Sequence, residues 1–207
     1  MKNNNKEEFN MKKTKMSAKT IVLGAILTAL VILLQYVSIW IRFGTFSITL
    51  SLVPIVIGAI VCGCGMCVWL GLMFGITVLI SGDANFFLSF NVIGTIITVL
   101  FKGMLCGFFA GVTYKALKKI MPEKKYLRIM VSSIICPIVN TGVFILGCYI
   151  FFLPDITKLA SDAGMSGNIF GFIITAFVTF NFILELVLNI IFAPATAKIL
   201  KAVDKGN

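Results

Sequence analysis

Along this chain apolar residues gather in six stretches, and the polar segments between them alternate between Lys-rich and Lys-poor. The stretches cover about residues 20–41, 47–62, 66–80, 91–114, 129–153 and 169–191. An α-helix rises ~1.5 Å per residue and the hydrocarbon core is roughly 30 Å thick, so about 20 apolar residues make one crossing. The first stretch meets that length, whereas the second is short and interrupted by Pro54. Residues 42–46 and 81–85 read as short outer loops, 86–89 as a return into the interface, and 62–65 as a tight inner turn. A basic inner linker carries Met121, Pro122 and Glu123, and residues 154–168 form the longest outer loop. The pattern predicts an all-α integral membrane protein, a six-transmembrane-helix bundle.

Charge fixes the expected orientation. Lys2, Lys6, Lys12, Lys13, Lys15 and Lys19 precede the first stretch. Lys115, Lys118, Lys119, Lys124, Lys125 and Arg128 lie between the fourth and fifth, and Lys198, Lys201 and Lys205 close the chain. These are 15 of the 18 cationic residues, with Arg42 and Lys158 on the other side and Lys102 inside a stretch. Basic loops resist translocation, so the bias places both termini in the cytoplasm. Residues 1–19 read as a disordered basic cytoplasmic tail, 20–200 as the membrane domain and 201–207 as a second cytoplasmic tail.

Composition narrows the class further. At 59% apolar residues and a mean hydropathy of +1.04, the chain is far from the composition of a soluble domain. The net charge of +10 follows from the basic inner segments and their attraction to anionic headgroups, and needs no nucleic acid. The first apolar run is longer than the core of a signal peptide and lacks a small-x-small cleavage site, so it reads as a retained span.

Helices in lipid pack through small residues at four-residue spacing. Gly103, Gly107 and Gly111 make such a ridge in the fourth stretch, Gly71 and Gly75 in the third, and Ala25 and Ala29 in the first. The glycine ridges are expected to pack the bundle, while the Ala25/Ala29 face is open to a partner helix.

Ionisable groups deep in an apolar span are costly unless paired or facing water, so each is a functional candidate. Lys102 lies near mid-depth of the fourth stretch, with Thr95 and Thr98 preceding it at helical spacing. Glu185 sits between Asn181 and Asn189 on one face of the sixth stretch. Arg42 closes the first outer loop, and Asn91 and Asn140 add amides to the fourth and fifth spans. Lys102 and Glu185 either neutralise one another or line an outward-opening polar pocket.

Chemistry also fails to appear. With no His and no G-x-x-x-x-G-K-[ST] loop, the sequence offers neither Ser–His nor His–metal hydrolysis nor that route to ATP. Cys62, Cys64 and Cys67 form C-x-C-x-x-C, but a metal site wants four ligands, usually in two separated pairs, so packing is the preferred reading. The expectation is no enzyme, no metal and no cofactor.

In their order and spacing, several motifs resemble the substrate-binding S components of energy-coupling factor (ECF) vitamin transporters. They are Ala25-x-x-x-Ala29, the GTFSITLSLVP stretch over 44–54, Asn91-x-x-Gly94, Lys102-Gly103, Gly107-x-x-x-Gly111 and the run from Asn181 to Asn189. The resemblance covers nearly the whole chain. It implies a multi-pass protein of the bacterial plasma membrane that captures a vitamin outside. It also implies a membrane coupling subunit, docked on Ala25 and Ala29, which carries two ATPases. Pocket contacts would come from Arg42, Phe43, Asn85, Asn91, Lys102, Asn140, Asn181 and Glu185. Pantothenate suits a basic pocket with few aromatic platforms best, followed by folate and riboflavin. The alternatives are a self-sufficient ion- or proton-coupled carrier titrating at Glu185, and a membrane assembly protein that transports nothing.

Overall fold

The computed structural model describes residues 18–43 and 46–205, without the side chains of residues 42, 43, 46, 204 and 205. In chain order it contains α1 (Ala18–Trp40), a two-stranded hairpin of β1 (Arg42–Phe43) and β2 (Phe46–Ser47), α2 (Leu52–Val61) and α3 (Cys64–Ile80). Then come α4 (Asn85–Leu88), α5 (Val92–Ile120), α6 (Lys125–Phe151), α7 (Leu153–Asp162) and α8 (Ile169–Ile173). A single π-helical turn, Ile174–Val178, joins α8 to α9 (Thr179–Lys205).

Among the described residues four helices are long and apolar enough to cross a membrane: α1, α5, α6 and the continuous run Ile169–Val203. The apolar α2 and α3 are shorter, at 10 and 17 residues, or about 15 and 26 Å. The second stretch therefore differs from its expected extent of 47–62. Ser47 belongs to the hairpin, where Arg42 pairs with Ser47 and Phe43 with Phe46. Helix α2 begins only at Leu52, which puts Pro54 in its first turn. A proline there has no i−4 carbonyl to pair with, so it is tolerated only if the helix starts just ahead of it.

Helices α3 and α5 run antiparallel with their backbones in contact. A Cβ on Gly71 would strike the carbonyl of Gly103, and one on Gly107 would strike the carbonyl of Cys67. Gly75 faces the Val99 carbonyl, and a Cβ on Gly111 would lie 3.1 Å from both the Cys64 and the Cys67 sulfur. The glycine ridges thus pack the bundle, as expected from their spacing, and this is also how the inner-turn cysteines are used. Helix α5 runs on through residues 112–120, ending in Lys118 and Lys119. On its other side α5 packs against α6, where the Ser132 hydroxyl donates to the Ala110 carbonyl.

Lys19 Nζ donates to the Val203 carbonyl at 3.0 Å, so the start of α1 and the end of α9 lie at one end of the bundle. The hairpin, the 81–84 turn and α4 gather at the other end. Large apolar side chains such as Ile93, Ile150 and Phe180 are about 70% exposed (71%, 69% and 70%), pointing outward. That outward apolar surface belongs to a protein whose solvent is lipid.

Candidate functional site

At the hairpin end the short α2 leaves room for a cavity among α5, α6 and α9. Ser47 and Thr49 line it from the segment after the hairpin, Asp83 from the 81–84 turn and Lys102 from α5. Asn140, Thr141 and Phe144 come from α6, and Phe177, Val178, Asn181, Phe182 and Glu185 from the π turn and α9. A second, more apolar lobe shares Asp83, Lys102 and Phe144 and extends to Val78, Phe87, Thr98, Val99 and Phe152. The lobes enclose about 430 and 380 Å³, open mouths included. Lys102, Asp83 and Phe144 stand at their junction.

Each charged group at the junction is held differently. Asp83 Oδ2 accepts from the Ser47 hydroxyl at 2.7 Å and from Gln35 Nε2 at 3.2 Å. Gln35 is itself buried and accepts from the Ser51 hydroxyl at 3.4 Å, tying α1 to the turn before α2. Glu185, 4% exposed, accepts from Asn140 Nδ2 at 3.2 Å, and Thr49 lines the cavity with it. Lys102 has neither a hydrogen bond nor an ion pair among the described residues. Its Nζ lies 5.7 and 5.8 Å from the ring centroids of Phe74 and Phe144, within cation–π range. Lys102 and Glu185 therefore line one cavity without forming an ion pair.

Around them several polar groups lack partners. Asn140 Oδ1 and Thr98 Oγ1 are buried with no hydrogen bond, and the Asn181 amide and Thr141 hydroxyl have none among the described residues. Buried polar groups are nearly always satisfied, so this concentration marks a place where something else supplies the partners.

Of the residues the sequence singled out, Lys102, Asn140, Asn181 and Glu185 come together in the cavity. Asn91 does not: it caps α5, accepting from Gly94 N–H at 2.9 Å and donating to the Phe151 carbonyl at 3.4 Å. Asn85 is exposed at the start of α4 and lines neither lobe. The side chains of Arg42 and Phe43 fall outside the described residues. Asn189, expected on the face of Glu185, is buried and donates to the Glu185 carbonyl at 2.8 Å.

The sequence reading missed Ser47, Thr49, Asp83, Phe144 and Phe177. Asp83 looked like an ordinary loop acid, and Thr49 lay within an assumed span. The π turn could not be read from helical periodicity: its extra residue rotates Phe177 and Val178 onto the cavity side. It is closed by a bond from the Thr179 hydroxyl to the Ile174 carbonyl at 2.8 Å. Such turns recur at functional sites.

A second feature lies on the lipid-facing surface between α1 and α3. Ile21, Ala25, Thr28, Ala29, Gly65, Met66 and Trp69 line an open apolar groove. Ala25 and Ala29 are exposed on its floor, and Trp69 Nε1 donates to the Thr28 hydroxyl at 3.2 Å.

A bundle of apolar helices enclosing a partly polar cavity is an architecture that can hold a small molecule within a membrane protein. The family model for the substrate-specific component of ECF transporters matches residues 19–196, most of the 207-residue chain. The chain belongs to that family, whose members bind the transported substrate and associate with an ECF module, and are not enzymes. No curated protein matches the chain, and no solved structure does.

Proposed function

We propose that this chain captures a vitamin or related micronutrient from outside the bacterial plasma membrane, in the cavity around Lys102. Uptake is then driven by partner subunits. The observation that carries this reading is the cluster of polar groups without a hydrogen-bond partner among the described residues, Lys102 Nζ, Asn140 Oδ1, Asn181 and Thr141, inside an apolar bundle of the ECF substrate-specific family. All six apolar helices cross the bilayer in this reading, with both termini and the basic linker in the cytoplasm.

The groove between α1 and α3 receives the membrane coupling subunit, with Ala25 and Ala29 letting a partner helix approach closely. Two ATPases bound to that subunit supply the energy. Pantothenate is the leading substrate, ahead of folate and riboflavin. An ammonium at the junction of two compact lobes suits a small carboxylate better than a large ring system.

Thermal stabilisation of the purified protein by a vitamin panel tests the reading. A ligand that binds only the folded state raises its stability by about 2.7 kcal/mol at 100 times the dissociation constant. A shift with one panel member is expected. No shift with any of them contradicts capture of this class of compound.

A further inference from the structure

Asn140 and Glu185 face each other in the cavity. An amide side chain has a donor end and an acceptor end, and the hydrogen-bond network decides which faces which way. Here Nδ2 is given to Glu185 Oε2. With Nδ2 spent on that bond, Oδ1 is the end left to face the other way. Oδ1 is thereby committed to the opposite side, where it is buried without a donor.

Lys102, in the same cavity, has the reverse need: its ammonium has donors to give and no acceptor among the described residues. Both carboxylates of the cavity already accept hydrogen bonds from the protein. What the site lacks is therefore an acceptor at Lys102 and a donor at Asn140.

We propose that the cavity selects a compact carboxylate that also bears an N–H or O–H donor, the carboxylate meeting Lys102 and the donor meeting Asn140 Oδ1. Glu185 serves as the positioning residue that fixes the amide. This rests on the capture reading above and goes further by stating the ligand's chemistry. An apolar acid without a donor leaves Oδ1 unsatisfied. A neutral analogue leaves the ammonium unsatisfied.

The test uses the full-length protein in detergent and chosen probes: pantothenate with pantothenol, biotin with biotinol, and nicotinate and octanoate as donor-free acids. The expected best binder is an acid bearing a donor, bound at least about tenfold more tightly than its neutral counterpart, with both donor-free acids weak. Wild-type protein suffices for this arm, so no variant has to fold.

A double-mutant cycle then tests positioning. Glu185→Gln presents an amide that lets Asn140 turn over, and should weaken the best binder about tenfold. On an Asn140→Leu background the same change should add little. A neutral probe as best binder, tight binding of either donor-free acid, or additive losses in the cycle overturns the inference and leaves the capture reading standing. If no probe binds, the inference falls, and the vitamin panel decides the capture reading separately.

Discussion

Gly71 on α3 and Gly103 on α5 meet backbone to backbone, each sitting where a Cβ on the other would enter its carbonyl oxygen. In lipid, where burying apolar surface gains little, this close approach is what draws two helices together. Gly71→Ala or Gly103→Ala should therefore cost about 1–3 kcal/mol, the range for overpacking. Gly142→Ala, where an added Cβ meets nothing within 4 Å, should be neutral. Thermal unfolding in detergent checks the contrast; equal tolerance at all three positions would mean the contact is not what holds α3 to α5.

Lys102 should behave as a binding residue and not as a structural one. Its ammonium has no hydrogen-bond or ion-pair partner among the described residues, and a charged Lys at mid-depth costs roughly 3 kcal/mol on insertion scales. Lys102→Met is expected to leave the melting temperature unchanged or raise it, while ligand affinity falls at least about tenfold. A destabilised variant with intact affinity would return Lys102 to a structural role.

The α1 groove carries a separate expectation. Ala25 and Ala29 are exposed and lie away from the cavity, so Ala25→Trp or Ala29→Trp should leave ligand binding intact. Uptake by the assembled transporter should fail in both. Parallel loss of binding and uptake would show that this face packs the bundle.

Orientation can be read by labelling single cysteines placed in a cysteine-free background. Lys124 and Asp162 are both exposed, one in the basic linker and the other at the end of α7. An impermeant thiol reagent added to intact cells should modify Asp162→Cys and spare Lys124→Cys. Modification of both from outside would contradict the six-crossing arrangement.

The sequence exposed the parts of this molecule that violate an apolar background. Lys102, Glu185, Asn140 and Asn181 stand out because polar side chains are rare inside spans, and the cavity gathers those four. Gly103 and Gly107 stand out by spacing, and they pack against α3. What stayed hidden depends on context that no local pattern carries. Asp83 is a turn acid until Gln35 and Ser47, far away in sequence, bring it hydrogen bonds. The late start of α2 leaves Thr49 in the cavity lining with Glu185, although Pro54 signals where that helix must begin. Asn91 had a readable signal too: an Asn just ahead of an apolar run is a helix cap before it is a ligand contact.

On the proposed reading the chain captures substrate and its partner subunits supply the energy. Uptake of the panel vitamin that stabilises the protein, measured in cells making this chain alone or with an ECF coupling subunit and its two ATPases, tests it most directly. Accumulation is expected only when the partners are present and their ATPases are active. Equal accumulation by the chain alone would contradict the account and identify a self-sufficient carrier.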